Sequence, residues 1–322
     1  MSINKITVTV AMSIYMPNLK WFKEQLKSIN KQTYRNLEVY IYNDYPNDKF
    51  NYKLFIEKYL KNYSFKYFQG IKNLGSNKAF EFLTSIINSD YIAYCDQDDI
   101  WLPDKISCLV NEAEKNKADL LCSDMYVIDK DDNIIANKIS DIRPHQKFYY
   151  GKNIFKFLTI HNFVTGCTVL IRTSCAKKAM PFSNIYYHDW WLALNVSLYG
   201  KIIIVNKPLI KYRMHDTNQS EFLKGISTKS DYYKLWINLF ENRILELYKL
   251  PISGEEREYV DRLYEFAIVR EKYFKDFGVK NFIKLIKLRK INKKTTYFEL
   301  ILPLFPECIF ELIIKQIKKG KV

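Results

Sequence analysis

The segment Asp90-Tyr91-Ile92-Ala93-Tyr94-Cys95-Asp96-Gln97-Asp98-Asp99-Ile100-Trp101 carries the most information about the fold. Its first part, Tyr91–Cys95, is an unbroken apolar run of strand length, as expected for a strand buried on both faces. It runs straight into three carboxylates within four residues, Asp96, Asp98 and Asp99. Side chains of like charge packed this closely repel one another, and a hard divalent cation taking oxygen ligands offsets the cost. Mg²⁺ or Mn²⁺ held there would neutralise a departing diphosphate. The plainer reading is a solvated turn that caps a helix ahead of Pro103, where Asp is favoured for that reason alone.

Outward from this segment, the first half of the chain alternates strand-like and helix-like stretches. Residues 6–14 are β-branched and apolar, and 18–32 place Leu19, Phe22, Leu26 and Ile29 at helical spacing. Residues 37–42 and 65–68 read as strands, and about 48–62 and 78–87 as helices. This alternation predicts right-handed βαβ units, an α/β fold and a mostly parallel sheet. In such sheets ligands bind at the carboxyl ends of the strands. Asp44 and the Asp96–Asp99 cluster both fall at such ends. Further on, 120–128, 168–172 and 201–205 are strand-like and about 189–199 helical. From about residue 228 the pattern is helical, so the expected division is 1–220 and 221–322.

Composition narrows the class. The 322 residues are 48% hydrophobic and 26% charged, with 9 Gly and 9 Pro, which suits a packed globular chain without a long flexible linker. Fifty basic against thirty-five acidic residues give a net charge of +15, which favours polyanions: nucleotide phosphates, anionic lipid or nucleic acid. The six cysteines show no ligand-like pairing and fit a reduced, cytoplasmic setting. Residues 1–5 and the run after them lack the pattern of a signal peptide, and no window matches a membrane-spanning helix. The tail from Lys280 carries eleven Lys or Arg against three Glu. There Phe282, Ile283, Leu285 and Ile286 lie opposite Lys280, Lys284 and Lys287 on a helix, a pattern suited to an anionic membrane surface. A helix packed on its own domain with a solvated basic edge is the other reading.

Several stretches, in order, resemble family 2 glycosyltransferases. They are residues 8–15, 24–29, 32–34 and 38–44, then Asn73-Leu74-Gly75-Ser76-Asn77-Lys78-Ala79-Phe80-Glu81 and the segment quoted at the outset. The similarity continues more weakly to about residue 220, roughly two thirds of the chain, and is greatest to the bacterial rhamnosyltransferase-like branch. The resemblance implies a GT-A fold (a Rossmann-like nucleotide-diphospho-sugar transferase) followed by a helical C-terminal region. It also implies a nucleotide-sugar donor, dTDP-rhamnose or a UDP-hexose, a divalent Mg²⁺ or Mn²⁺, and inversion at the anomeric carbon. Ser13, Tyr15, Asp44, Lys78 and Asp96 would line the donor nucleotide. Asp96 and Asp98 match the D-x-D motif, with Asp98 the expected direct metal ligand and His215 a further one. Asp189, in His188-Asp189-Trp190-Trp191-Leu192, matches the second acid of the family's base motif and would be the catalytic base. Trp101, Gly166, His188 and Trp190 are the candidate acceptor contacts, the acceptor being a glycan or lipid-linked saccharide at the cytoplasmic membrane face. The chain departs from the family pattern at Met16, at Asn43-Asp44-Tyr45-Pro46 and at His188. Two other functions remain compatible with parts of the pattern. A nucleotidyltransferase would show a Gly-rich phosphate loop, and residues 13–18 contain no Gly. A non-catalytic basic module binding membrane or nucleic acid would leave the carboxylates without a purpose, so a nucleic-acid partner is not expected.

Overall fold

The computed structural model describes residues 6–143, 146–215, 223 and 225–318. The expected boundary at 220/221, residues 1–5 and the last four residues of the tail lie outside them. The chain divides into two compact units, Met1–Asp216 and Thr217–Val322.

The first unit is built on one nine-stranded sheet. Its opening half follows the alternation in the sequence: β1 (Val8–Ile14), α1 (Leu19–Asn30), β2 (Leu37–Asn43), α2 (Tyr52–Tyr59), β3 (Phe65–Gln69), α3 (Ser76–Ile86) and β4 (Tyr91–Cys95). Helix α1 starts at Asn18, whose side chain accepts from the Lys20 and Trp21 amides, and it buries Phe22, Leu26 and Ile29. β1 and β4 are buried along nearly their whole length, and β4 is accordingly an unbroken apolar run. β1 pairs in parallel with β2 and β4, and β2 with β3. The register sets Met12 beside Cys95 and Ile14 beside Asn43, so three strand ends open onto one edge.

Beyond β4 the elements are β5 (Ile100–Trp101), α4 (Lys105–Asn116), β6 (Leu120–Ile128), β7 (Ile134–Ala136), α5 (Ile154–Leu158), β8 (Leu170–Arg172), α6 (Thr173–Lys178), α7 (His188–Tyr199) and β9 (Ile202–Arg213). The strand order is β3-β2-β1-β4-β8-β6-β9-β5, with β7 on β6. The mostly parallel expectation holds for the long pairings, and the short ones are antiparallel. β8 runs antiparallel to both β4 and β6, β7 to β6 and β5 to β9, while β6 and β9 are parallel. The cause is connectivity: a hairpin joins β6 to β7, and an irregular stretch rather than a crossover helix delivers β8. β9 is longer than its sequence signal, because pairing with β6 resumes beyond an irregularity at residues 123–126. That extension carries Arg213 and His215 to the edge where Asp98 and Asp99 stand.

The second unit is helical: α8 (Lys229–Tyr232), a π-helical stretch (Tyr233–Asn238), α9 (Leu239–Leu247), α10 (Gly254–Lys275), α11 (Val279–Leu288), α12 (Lys293–Ile301) and α13 (Glu307–Lys318). Tyr232, Ile237, Leu302, Phe310 and Ile314 form its core. A buried ion pair joins α10 to α12: Arg270 Nε donates to Glu299 at 2.7 Å, and the Tyr232 hydroxyl adds a hydrogen bond at 2.9 Å. No helix among the described residues is long and apolar enough to cross a membrane.

Candidate active site

The carboxylate turn is held from both sides by groups distant in sequence. Gln97 clasps the end of β1, accepting from the Tyr15 amide at 2.8 Å and donating to its carbonyl at 3.2 Å. Arg213, fully buried, donates from its amide to Asp99 Oδ1 at 3.0 Å and from Nε to the Asp98 carbonyl at 2.8 Å. Its guanidinium also reaches the Asp129 carbonyl and pairs with Asp132. With the backbone thus fixed, Asp98 Oδ2 lies 2.8 Å from His215 Nε2.

The cluster is strongly perturbed. Burial first, then Asp99, Asp98 and Asp189, raise the Asp96 carboxyl well above the usual range. Burial and then Asp98 push Asp99 up to about 7. Within the same nest Lys105 is wholly buried, and burial brings it down to about 8, so it remains an ammonium at neutral pH. Its Nζ donates to the Cys167 carbonyl at 2.6 Å and sits 3.4 Å from the Trp101 ring centre.

Asp189 occupies the first turn of α7, where the helix dipole favours an anion. Its Oδ2 accepts from the Gly166 amide at 2.8 Å and its Oδ1 from the Trp190 amide at 2.6 Å. Burial outweighs these hydrogen bonds and lifts it to about 6. A carboxyl poised there can take a proton near neutral pH. The start of α7 is fastened to α3 by Asn77, which donates to the Ser183 and Tyr186 carbonyls at 2.9 and 2.6 Å and accepts from the His188 amide at 2.9 Å.

Most of the residues singled out in the sequence converge here, but several differ in what they do. Ser13 is half-buried on β1 and Tyr15 is exposed. Asp44 accepts from the Leu74 and Gly75 amides at 2.6 and 2.9 Å, so it orders the loop that enters α3. Lys78 pairs with Glu81 at 2.9 Å and lines a cleft of about 280 Å³ with Ser76, Asn184 and Tyr187. Trp101, expected to receive a sugar, is 2% exposed and faces the protein's own ammonium. Trp190 is likewise buried, its Nε1 donating to the Leu158 carbonyl at 2.6 Å. Neither ring is available as a platform. His188 is packed between Phe80 and Tyr94, with ring centres 4.2 and 5.1 Å away, and burial holds it neutral, down to about 3.

The same packing explains Gly166 without an acceptor. A Cβ there would lie 2.8 Å from His188 Nε2. Gly166→Ala is expected to displace the turn whose amide holds Asp189, lowering kcat by about 100-fold. Overpacking should cost about 1–3 kcal/mol, and steady-state kinetics with thermal melting check both.

Gln97, Asn77, Lys105 and Arg213 carry no functional reading in the sequence. Gln97 and Asn77 stand within the quoted motifs, Lys105 and Arg213 do not, and nothing local reveals hydrogen bonds to residues 62 to 115 positions away.

A parallel half-sheet ending in a carboxylate turn, with a second acid on a helix near it, is the arrangement of a transferase of the GT-A fold. The Glycosyl transferase family 2 model matches residues 9–177, just over half of the chain, and the protein belongs to that family. It is 28% identical over 239 residues to the dTDP-rhamnosyl transferase RfbG of Shigella flexneri, covering 67% of this chain and 75% of that protein. It is 25% identical over 215 residues to the UDP-Glc:alpha-D-GlcNAc-diphosphoundecaprenol beta-1,3-glucosyltransferase WfgD of Escherichia coli, covering 65% and 79%. Among solved structures, S. aureus TarS 1-349 in complex with UDP-GlcNAc superposes with a TM-score of 0.56 at 15% identity, over 89% of this chain and 81% of that one. The mannosyltransferase PcManGT of Pyrobaculum calidifontis, in complex with GDP-Man and Mn2+, gives 0.55 at 10% identity, over 97% and 80%. Both structural likenesses concern the fold.

The residues present suit a hard divalent cation at one place. Two ligands at right angles on Mg²⁺ or Mn²⁺ stand roughly 3 Å apart. Asp98 Oδ2 and His215 Nε2, at 2.8 Å, meet that spacing. Ligand atoms of Asp96, Asp99 and Cys167 also gather within 4.8 Å of one another. There, however, burial keeps the thiol protonated, and the Cys167 carbonyl accepts from the Lys105 ammonium.

Proposed function

We propose that the protein is an inverting, Mg²⁺- or Mn²⁺-dependent glycosyltransferase. It would move a hexosyl or rhamnosyl group from dTDP-rhamnose or a UDP-hexose to a glycan or lipid-linked acceptor in bacterial surface polysaccharide synthesis. The observation that carries this is Asp189, a carboxylate fixed at the start of α7 by the Gly166 and Trp190 amides and near enough to Asp96 to raise it. The names of the two bacterial relatives support the donor classes and the polysaccharide setting.

In this mechanism Asp189 takes the proton of the acceptor hydroxyl as that oxygen bonds to the anomeric carbon. The bond from that carbon to the diphosphate oxygen breaks on the opposite side, its electron pair leaving with the nucleoside diphosphate. Asp98 and His215 would hold the cation, with Asp96 beside the nucleotide. When bound, the cation supplies charge neutralisation to the leaving diphosphate. Ser13, Tyr15, Asp44 and Lys78 would border the donor nucleotide. Titration calorimetry with UDP and dTDP, with and without Mn²⁺, tests the reading. Metal-dependent binding of one of them is expected, and its absence for both would overturn it. Nucleoside diphosphate release from a panel of nucleotide sugars then identifies the donor.

We further propose that the second unit rests peripherally on the anionic inner face of the cell membrane. In support, Val279 and Leu304 are 75% and 79% exposed, and Ile283 and Leu312 are exposed as well. Lys280, Lys284, Lys287, Arg289, Lys290, Lys293 and Lys294 accompany them on α11, α12 and the joint between. Each basic residue near an anionic surface contributes about 1 kcal/mol. Co-sedimentation with phosphatidylglycerol vesicles is expected, weakened about tenfold or more in Val279→Asp/Ile283→Asp and absent with phosphatidylcholine alone.

A further inference from the structure

We propose that Lys105 is a positioning residue whose buried ammonium joins the carboxylate turn to the base side of the site. The inference rests on the transferase reading above.

Nothing local accounts for a lysine at this position. It is the first residue of α4, where a cation opposes the helix dipole. It is wholly buried, which is costly for a charge without partners. What offsets both is its surroundings. Its ammonium donates to the Cys167 carbonyl and faces the Trp101 ring, and any negative charge on Asp99 or Asp96 favours it further. The neighbouring guanidinium of Arg213 is directed instead to the Asp98 and Asp129 carbonyls and to Asp132.

The geometry also gives the ammonium a mechanical part. Its hydrogen bond ends on the Cys167 carbonyl, at 2.6 Å, within the 3₁₀ turn Gly166–Thr168. The Gly166 amide of that turn holds Asp189 Oδ2 at 2.8 Å. The other end of the same linkage is the Trp101 ring, whose strand β5 directly follows Asp98 and Asp99. One buried cation therefore sets the base relative to the carboxylate turn.

The test uses the full chain carrying Lys105→Met, Lys105→Arg, or Lys207→Met as a control. Lys207 makes an exposed pair with Asp104 beside the start of α4, outside the site. The readouts are kcat and donor KM from nucleoside diphosphate release, Mn²⁺ affinity from the free-ion EPR signal, and thermal melting. Lys105→Met is expected to lower kcat by about 100-fold while donor KM stays within about threefold. Its Mn²⁺ affinity should be no weaker than wild type, because a positive charge has been removed from the neighbourhood. Lys105→Arg should recover at least about tenfold of the lost kcat, and Lys207→Met should match wild type. Wild-type kcat in Lys105→Met overturns the proposal. So does a joint fall in kcat, Mn²⁺ affinity and melting temperature, which marks a scaffold role. An arginine variant as slow as the methionine one also overturns it, because charge would then not be the determinant. If Lys105→Met is insoluble, Lys105→Gln, which keeps a donor but no charge, is judged by the same outcomes. Absence of Mn²⁺-dependent turnover in the wild type would instead refute the transferase reading.

Discussion

Asp189→Asn is expected to lower turnover by about a thousandfold while UDP or dTDP binding in the presence of Mn²⁺ stays within about threefold of wild type. The amide is nearly isosteric and its one oxygen still accepts from either the Gly166 or the Trp190 amide, so one of the two bonds that fix the start of α7 is kept. What it cannot do is take the acceptor's proton. Loss of nucleotide affinity in the same measurement would count against a base role. The carboxyl also has a pH signature. Its value in the folded protein, about 6, is raised above the ordinary 3.8, so the wild-type rate should climb through about pH 6 as the base ionises. The stability consequence has the opposite sense. A raised carboxyl favours the folded state fully below the unfolded value, and that advantage fades as pH rises through about 6. At pH 7.5 the ionised base thus costs on the order of 3 kcal/mol, and the Asn variant, without that cost, should melt above wild type. At pH 4 the gap should close. A variant that melts lower at both values would show that burial does not strain this carboxylate.

Asp98→Asn is the second large effect. Loss of an outer-shell partner already costs 10–100-fold in metal affinity, so loss of a direct ligand should weaken Mn²⁺-dependent nucleoside diphosphate binding by more than about 100-fold. Metal-free binding should stay as it was. Asp96→Asn distinguishes the outer pair from the inner set. If Mn²⁺ dependence vanishes there and persists in Asp98→Asn, the cation sits with Asp96 and Asp99 rather than with His215.

The parallel half of the sheet was legible because each strand and helix from residue 6 to 95 follows its neighbour in sequence. Their apolar spacing reports burial directly, as at Phe22, Leu26 and Ile29 on α1. In the antiparallel half β5 and β7, two and three residues long, are too short for any periodicity, and for β8 the sequence showed a strand at 168–172 but not its direction. Side-chain exposure was the weakest inference. Trp101 lies in a motif that invites a sugar-binding role, yet it is sealed into the core.

Order along the chain was enough to establish the family and the kinds of residue its chemistry employs, because motifs such as Asp96-Gln97-Asp98-Asp99 are contiguous. It also located Asp189, at the start of a helix. Tertiary structure alone decided which carboxylate meets His215, which groups hold the turn and where the buried Lys105 ammonium is directed. Those answers depend on Arg213 and His215 arriving on the extended end of β9, and on Lys105 reaching Cys167 across sixty-two residues. Electrostatic effects act through space and depend on burial, and neither separation nor burial at this site is written in the spacing of the chain.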